Sequence, residues 1–332
     1  MHEILRAEHQ QFSHEELSAR IARWVGEDRV PKRLNIITDT TDFYRVDYDD
    51  VVILGGRPYL IRNNEREGRF GIDEQQKYWV KRARDLSDGS VRIIKLVFHE
   101  RFKAKVGEIV FDCYRSPKKE ARILDLTRDH PRFMHGFSIR DASDNTIRVI
   151  EFIRGRTLAD HVLSLGKDHE EYFHTHLPRV IDEFIDLVKA IQFIHSHGEK
   201  HGDIRRDHIL KDEASGLARW IDFDFNYLHK ENMFGYDLFG LGNILAYLAG
   251  RGDVTIQNLR EQASPACARI TRNDINIIFN NRVVNLQKVY PYIPEALNFV
   301  LLHFSVGANI YYDTADQFLH DLQEARESLH HT

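Results

Sequence analysis

Residues 195–226 constrain the fold of this chain more than any other stretch, because they place acidic residues around short apolar runs. A charged loop containing Asp203 is followed by one apolar pair, a polar turn and a second apolar pair that leads into Asp222. Short apolar runs that flank a glycine-containing turn predict a β-hairpin. The apolar residues expected to form its buried floor are Ile209, Leu210, Trp220 and Ile221. Such a hairpin would hold the carboxylates of Asp203 and Asp222 on opposite arms at a fixed separation.

Two carboxylates held in this way suit metal-assisted phosphoryl transfer. One carboxylate can orient a hydroxyl nucleophile, while the other holds a magnesium ion against the phosphates. Asp203 is therefore the candidate catalytic residue, and Asp222 is the candidate metal ligand.

Motif fragments surround both aspartates. His201-Gly202-Asp203-Ile204 is followed by His208, and Asp222-Phe223-Asp224 comes after the second apolar pair. This series resembles the protein-kinase-like superfamily, whose catalytic loop reads His-Arg-Asp-Leu-x-x-x-Asn before an Asp-Phe-Gly motif. The His-Gly-Asp form also resembles aminoglycoside phosphotransferases and other small-molecule kinases. A lone His-x-Asp would equally describe a loop of solvated charges, and the second motif at this spacing favours the resemblance.

Composition predicts a globular protein with a sizeable core. The chain has 332 residues, of which 42% are hydrophobic and 29% charged, in the usual globular range. A net charge of −5 without a long basic arm argues against nucleic-acid binding by bulk electrostatics. Cys113 and Cys267 are far apart, no apolar run reaches the ~18 residues of a membrane helix, and Met1–Gln11 lacks a signal-like apolar core. We expect a cytoplasmic protein with no nucleic-acid partner and no membrane span.

Nineteen histidines raise the question of a zinc site, but their spacing does not support one. The pairs His174/His176 and His195/His197 are two residues apart, and such positions face different ways on a helix. We therefore interpret both pairs as surface or loop histidines.

The N-terminal third changes from a helical pattern to a series of strands. Ser13 followed by Glu16 is a capping box that predicts a helix over residues 12–26, packed on the outside of the next part of the chain. From Phe43 onward, short runs rich in β-formers and separated by turns predict about five strands in an antiparallel sheet.

Two charged residues extend the kinase resemblance into this part of the chain. The strand 91–95 resembles the kinase strand that ends in lysine, here Lys95, and Glu120 lies in a helical run. The resemblance implies that Lys95 contacts the α- and β-phosphates of ATP and that Glu120 positions it. Taken singly, either residue would describe an exposed charge, and Glu100 and Glu108 are alternative partners for Lys95.

The resemblance also implies further nucleotide contacts. Gly68 and Gly71 resemble the end of a glycine-rich phosphate loop, although a plain hairpin would explain them equally. The strand around residue 150 resembles the interlobe hinge, where adenine would bond to the Glu151 carbonyl and the Ile153 amide above Leu210. Each of these side chains would equally suit core packing.

Helical patterns dominate the rest of the chain. Apolar residues at three-and-four spacing predict a long buried helix over 177–197, capped at its C-terminus by Gly198. The run from Asp237 to Gly242 resembles the Asp-x-x-x-x-Gly helix of the large kinase lobe. The resemblance implies that Asp237 braces the backbone of the catalytic loop and that His201 supports it structurally. The alternative for Asp237 is a helix N-cap.

Three features depart from the protein-kinase pattern. His208 stands where asparagine holds a second magnesium, and magnesium prefers oxygen ligands. Arg205 stands where protein kinases often have lysine, and it would neutralise the transferring phosphate. Only fourteen residues separate Asp222 from Asp237, without an Ala-Pro-Glu motif. The activation segment is therefore expected to be short or absent, and regulation by its phosphorylation is not expected.

The sequence as a whole predicts an α+β, bilobal protein-kinase-like fold. We expect a helical extension and lead-in over residues 1–50, a β-rich N-lobe over 51–153 and a helical C-lobe over 154–332. The expected activity is ATP- and Mg²⁺-dependent transfer of the γ-phosphate to a hydroxyl, and the favoured class is a divergent Ser/Thr protein kinase. The alternatives are a small-molecule kinase and a pseudokinase that serves as a nucleotide-binding interaction module. The acceptor is an unknown protein or small molecule.

Overall fold

The computed structural model describes residues 12–69, 72–106, 109–228 and 232–329, without the side chains of residues 67–69 and 72–74. Contacts within the chain divide it into two compact units. Unit 1 consists of Met1–Glu100, Arg115–His130 and Met134–Phe152. Unit 2 consists of Arg101–Tyr114, Pro131–Phe133 and Ile153–Thr332.

Helices and strands are numbered in chain order. The helices are α1 (His14–Trp24), α2 (Pro117–Leu126), α3 (Leu158–Leu163), α4 (His169–Thr175), α5 (Leu177–Ser196), α6 (Gly235–Ala249), α7 (Ile256–Glu261), α8 (Glu295–Leu302) and α9 (Ala315–Ser328). The strands are β1 (Ile36–Ile37), β2 (Val51–Leu54), β3 (Arg57–Arg69), β4 (Ile72–Asp85), β5 (Val91–Lys95), β6 (Arg101–Val106), β7 (Ile109–Arg115), β8 (Gly136–Arg140), β9 (Thr146–Glu151), β10 (Gly155–Thr157), β11 (Ile209–Asp212), β12 (Ala218–Trp220) and β13 (Phe225–Leu228). The α+β class predicted from the sequence is confirmed.

Unit 1 is built on one sheet. Among the described residues it has seven strands in the order β1-β2-β3-β4-β5-β9-β8. The pair β1–β2 is parallel and the other neighbours are antiparallel, as the hairpin-rich sequence predicts. Helix α2 lies against β8 and β9. This arrangement places the end of β5 and the body of α2 in the same unit.

Helix α1 covers one face of this sheet. Its capping box is present, because Ser13 Oγ accepts from the Glu16 amide at 3.1 Å and the Ser13 amide donates to the Glu16 carboxylate at 2.9 Å. Leu17 and Ile21 of the helix pack with Val51 of β2 in one buried cluster. Alternate strand residues point to the opposite face, where the next residue after Val51 joins a second apolar cluster. The predicted external packing of this helix is confirmed.

Unit 2 is organised around α5. The buried residues of this helix recur at three-and-four spacing and the helix packs against α4, α6 and α9. The chain leaves α5 through Gly198, whose φ of 73° lies in the left-handed region that favours glycine at a helix end. None of the helices in the described ranges combines the length and apolar character needed to cross a membrane.

The hairpin predicted after the catalytic loop is confirmed. Strands β11 and β12 pair antiparallel, with Ile209 opposite Trp220, and β10 adds a third strand beside β11. Ile209 and Trp220 are fully buried, as expected for the floor. Leu210 and Ile221 are only half-buried, so that part of the predicted floor is wrong. For Leu210 the reason is that successive residues of a strand face opposite sides of a sheet, whereas Ile221 lies just past the end of β12.

A second hairpin, β6–β7, is not predicted by the sequence patterns. It lies in the chain between Lys95 and Glu120, yet it pairs with β13 in unit 2 in the order β13-β7-β6. Asn226 of β13 donates to the Tyr114 hydroxyl at 3.0 Å. The segment that directly follows Asp222-Phe223-Asp224 is therefore held as a strand.

Candidate active site

A buried charged cluster in unit 1 joins β5, β9 and α2. The Lys95 ammonium donates to Oε1 of Glu120 at 2.7 Å, and Nε of Arg148 donates to Oε2 of the same carboxylate at 3.0 Å. Lys95 and Arg148 are directly opposite each other in the β5–β9 ladder. The expected contact between Lys95 and Glu120 is therefore present. Of the alternative partners, Glu100 pairs with Arg115 at 3.2 Å, and Glu108 lies outside the described residues.

Arg148 is a residue of this cluster that sequence reasoning missed. Its side chain is 1% exposed, and its Nη1 also donates to the carbonyls of Leu96 and Thr146, at 3.3 and 2.9 Å. Two cations thus share one carboxylate, and each oxygen of Glu120 has its own charged donor. The available signal was an arginine inside the otherwise apolar run of β9, since a buried charge requires a partner.

Replacing Arg148 with methionine is expected to lower the free energy of unfolding by about 3–5 kcal/mol, the range for breaking a buried ion pair. Glu120 would keep the bond from Lys95 but lose the bond from Arg148. The carbonyls of Leu96 and Thr146 would lose the bonds that Nη1 of Arg148 donates. Urea denaturation of the full chain measures this loss.

The matched control for that substitution is Arg92→Met on the neighbouring strand. The Arg92 guanidinium is half-buried and lies 3.9 Å from Asp88, so its removal should cost less than about 1 kcal/mol. Equal losses for the two variants would show that Arg148 is not a special anchor of the Glu120 carboxylate.

In unit 2, the fully buried carboxylate of Asp237 holds the backbone of the loop that carries Asp203, the candidate catalytic residue. Its Oδ2 accepts from the His201 amide at 2.8 Å, and its Oδ1 accepts from the Gly202 amide at 2.9 Å. The N-cap of α6 is Phe234, so the N-cap alternative for Asp237 is wrong. Gly202 has φ of 87°, a conformation that glycine adopts without steric cost. This backbone requirement explains a glycine in the His-Gly-Asp form.

The expectation that His195 lies at the surface or in a loop is wrong. His195 belongs to α5, is 8% exposed, and stacks on Phe234 with ring centroids 4.0 Å apart. Its Nε2 lies 3.0 Å from Oδ2 of Asp237, where it can donate to that carboxylate. Its neighbour His197 is exposed. Residues two apart on a helix face different ways, so only one of the pair turns inward.

Asp203, His208 and Asp222 come together in unit 2. Nδ1 of His208 lies 2.9 Å from the Asp203 carbonyl oxygen and 3.6 Å from its carboxylate, while Nε2 lies 3.8 Å from Asp222 Oδ2. A carbonyl can only accept, so Nδ1 donates in this contact. Nε2 carries a lone pair whenever the ring is neutral. In its neutral form the ring therefore presents an acceptor nitrogen on the Asp222 side.

This donor set fits a divalent cation. Two carboxylates and one imidazole lone pair are ordinary metal ligands, and the oxygens match the preference of Mg²⁺. Asp222 has φ of 60°, a left-handed backbone that aspartate tolerates better than most residues. The carboxylates of Asp203 and Asp222 are 14% and 12% exposed, so the cluster is largely screened from water.

Arg205 is engaged by its own loop. Its Nε and Nη2 lie 3.1 and 2.5 Å from the two carboxylate oxygens of Asp207. Burial alone would raise the pKa of Asp207, but His208 and Arg205 hold it below its ordinary value. Asp207 is therefore ionised at neutral pH, and it fixes the direction of the Arg205 guanidinium.

The half-buried phenol of Tyr236 and the buried thiol of Cys113 interact electrostatically with Asp203. Burial, reinforced by the Asp203 charge, raises the pKa of Tyr236 well above its ordinary value. Burial also raises the pKa of the Cys113 thiol to about 11, and Asp203 adds to this shift. Both groups stay protonated at neutral pH. Of these three groups, Asp203 is therefore the one suited to accept a proton.

The remaining predicted contacts with nucleotide are placed as follows. Gly71 lies outside the described residues, and of Gly68 only its position within β3 is described. Glu151 ends β9, and its carboxylate accepts from the His135 amide at 2.7 Å. Ile153 is buried, and Leu210 is half-buried in β11. The roles of these residues toward adenine and phosphate stay predictions.

Comparison with known proteins gives kinase relatives at low identity. A protein of Caenorhabditis elegans named "Putative ribosomal protein S6 kinase alpha-2" is 22% identical over 63% of this chain. Serine/threonine-protein kinase SIK2 of Gallus gallus is 25% identical over 44%, and CBL-interacting protein kinase 28 of Oryza sativa subsp. japonica is 28% identical over 48%. The matches span 23%, 18% and 32% of those relatives, so the chain covers about a third or less of their length.

The other two comparisons add less. No protein-family model matches the chain. Among solved structures, the PknI kinase domain of Mycobacterium tuberculosis is similar at 12% identity with a TM-score of 0.46, over 82% of this chain and 98% of that one. The predicted resemblance to the protein-kinase-like superfamily is confirmed by the sequence relatives.

Proposed function

We propose that this protein is an ATP- and Mg²⁺-dependent kinase that phosphorylates serine or threonine hydroxyls. The observation that carries the proposal is the convergence of Asp203, His208 and Asp222, with less than 4 Å between the imidazole and each carboxylate. Asp203 lies on a loop whose backbone is held by Asp237. The kinase names of the sequence relatives support the same reaction class.

Each candidate residue has its own role in the proposed transfer of the γ-phosphate. The acceptor oxygen bonds to the γ-phosphorus, the bond from that phosphorus to the bridging oxygen breaks, and ADP leaves with the electron pair. Asp203 orients the acceptor hydroxyl and takes its proton. Asp222, assisted by His208, would hold Mg²⁺, which neutralises phosphate charge when bound. Lys95, positioned by Glu120 and Arg148, would bind the α- and β-phosphates.

Positioning and electrostatics account for the expected rate. Phosphoryl transfer needs little covalent participation from the protein. The side chains named here are buried or held by hydrogen bonds, so they need little reorganisation as charge develops. Arg205, fixed by Asp207, would stabilise the charge on the transferring phosphate.

Magnesium-dependent binding of ATP is the first expected result of this proposal. At about 100 times its dissociation constant, ATP with Mg²⁺ should raise the free energy of unfolding by about 2.7 kcal/mol. Thermal unfolding of wild type and Asp222→Asn, with and without Mg²⁺, measures the effect. The magnesium-dependent part should vanish in Asp222→Asn, whose amide binds the cation poorly. A shift of equal size in both proteins would remove Asp222 from the metal site.

A small-molecule kinase is the second candidate function. It is favoured by the short interval between Asp222 and Asp237, part of which is taken up by strand β13. Such a segment offers little chain for docking a peptide. Transfer from ATP to free hydroxylated small molecules, with none to serine or threonine peptides, would favour this candidate over the protein kinase.

A further inference from the structure

Two arginines share one carboxylate beside the catalytic loop. Nη1 of Arg206 lies 2.8 and 2.9 Å from the two oxygens of Asp253, and Nη2 of Arg282 lies 3.1 Å from the same carboxylate. We call Arg206, Asp253 and Arg282 the diarginine site. All three residues belong to unit 2, and none of them has a role in the proposed transfer step.

The diarginine site has an excess of positive charge that solvent can reach. Two guanidiniums and one carboxylate give a net charge of +1, and the three side chains are 34%, 25% and 25% exposed. A guanidinium has five N–H donors, and Asp253 occupies only one nitrogen of each arginine. Among the described residues, no other carboxylate or carbonyl accepts from these two guanidiniums. Donors therefore remain for an external anion.

Aromatic rings hold both guanidiniums in place. Arg206 lies over the Tyr247 ring at 4.3 Å from its centroid, and Arg282 lies over the Phe279 ring at 3.8 Å. Stacking fixes the plane of each guanidinium, so less side-chain entropy is lost when an anion binds. Burial lowers the pKa of Arg282, Asp253 opposes this and Arg206 adds to it, consistent with two cations that one carboxylate does not fully compensate.

The diarginine site lies close to the proposed base along the chain. Arg206 follows Asp203 by three residues, so their Cα atoms are at most about 11 Å apart at 3.8 Å per residue. A hydroxyl that reaches Asp203 would thus have neighbouring groups of the same acceptor within range of Arg206.

We propose that the diarginine site binds a carboxylate or phosphate of an acidic acceptor peptide, next to the serine or threonine that is phosphorylated. This inference rests on the proposed function and specifies its substrate class. Bidentate arginine contacts with such groups are strong and directional.

Two synthetic peptides test this proposal. One carries a serine flanked by glutamates, and the other has glutamine at the same positions. With the full chain and Mg-ATP, kcat/KM should be at least about tenfold higher for the glutamate peptide, as a charged hydrogen bond implies. Arg282→Gln should reduce this ratio to about twofold or less, and Arg282→Lys should restore part of it.

The matched control is Arg272→Gln, which removes the same charge from an exposed arginine of the neighbouring segment. Its ratio should equal that of wild type. Thermal unfolding of each variant separates loss of recognition from loss of folding. A wild-type ratio near one, or a ratio that Arg282→Gln and Arg272→Gln change equally, would overturn the diarginine site as an acceptor subsite.

Fluorescence anisotropy of the two labelled peptides, measured with the full chain but without ATP, reports peptide binding alone. It therefore distinguishes a failure of this inference from a failure of the proposed function. The subsite is supported if the glutamate peptide binds more tightly than the glutamine peptide and Arg282→Gln abolishes this difference, even if neither peptide is phosphorylated. In that case the proposed peptide kinase activity fails and the subsite stands. Equal binding of both peptides, together with their phosphorylation at equal rates, overturns the subsite and leaves the kinase proposal standing.

Discussion

Replacing Asp203 with asparagine is expected to lower kcat for transfer from ATP to a serine peptide by about 10²–10⁴-fold, the usual contribution of a positioned general base. The amide keeps the size of the side chain but cannot accept the proton of the acceptor hydroxyl. The backbone amide and carbonyl of Asp203 bond to the imidazole rings of His201 and His208. The substitution leaves these backbone groups in place, so the loop should keep its conformation. Steady-state assays should show little change in KM for ATP.

Glu213→Gln is the control for this loss. Glu213 is an exposed carboxylate in the turn of the β11–β12 hairpin, so its neutralisation should leave kcat unchanged. If Asp203→Asn retained the wild-type kcat, Asp203 would not be the base. If wild type itself bound Mg-ATP without turnover and both proteins supported the same protein interaction, the interaction-module alternative would replace the kinase.

The largest loss of stability is expected from Asp237→Ala. The carboxylate of Asp237 is 0% exposed and accepts from two backbone amides of the catalytic loop and from His195. Its removal leaves three buried donors without this acceptor, at about 1–3 kcal/mol each. We therefore expect the free energy of unfolding to fall by about 3–9 kcal/mol, a large part of the roughly 5–15 kcal/mol that is typical of whole proteins. Urea denaturation measures this difference.

Asp313→Ala provides the comparison, since Asp313 is exposed in the same unit and its loss should change stability by less than about 0.5 kcal/mol. Asp237→Asn should fall between the two, because its amide keeps one accepting oxygen. A destabilisation by Asp237→Ala of under about 1 kcal/mol, the net worth of a single ordinary hydrogen bond, would show that the catalytic loop does not depend on this carboxylate.

Local patterns were sufficient for several helices and strands, including the hairpin that follows the loop of Asp203. The capping box of α1, the end of α5 at Gly198 and the β11–β12 hairpin each depend on residues close together in sequence. The contact of Lys95 with Glu120 and the bracing by Asp237 were anticipated from motif resemblance, which supplies distant partners that local pattern cannot. Gly68 and Gly71 show the limit of that method, because a short glycine pattern fits a phosphate loop and a hairpin equally.

Capping, turn and periodicity signals act over a few residues, so the chain's own order of residues specifies most helices and strands and sets acidic and basic groups at kinase-like intervals. Packing was needed to bring Arg148 opposite Lys95, to pair β7 with β13, and to make Arg206 and Arg282 share Asp253. These contacts join segments that are distant along the chain. Strand register and side-chain burial select such partners, and both are properties of the packed chain rather than of any local stretch.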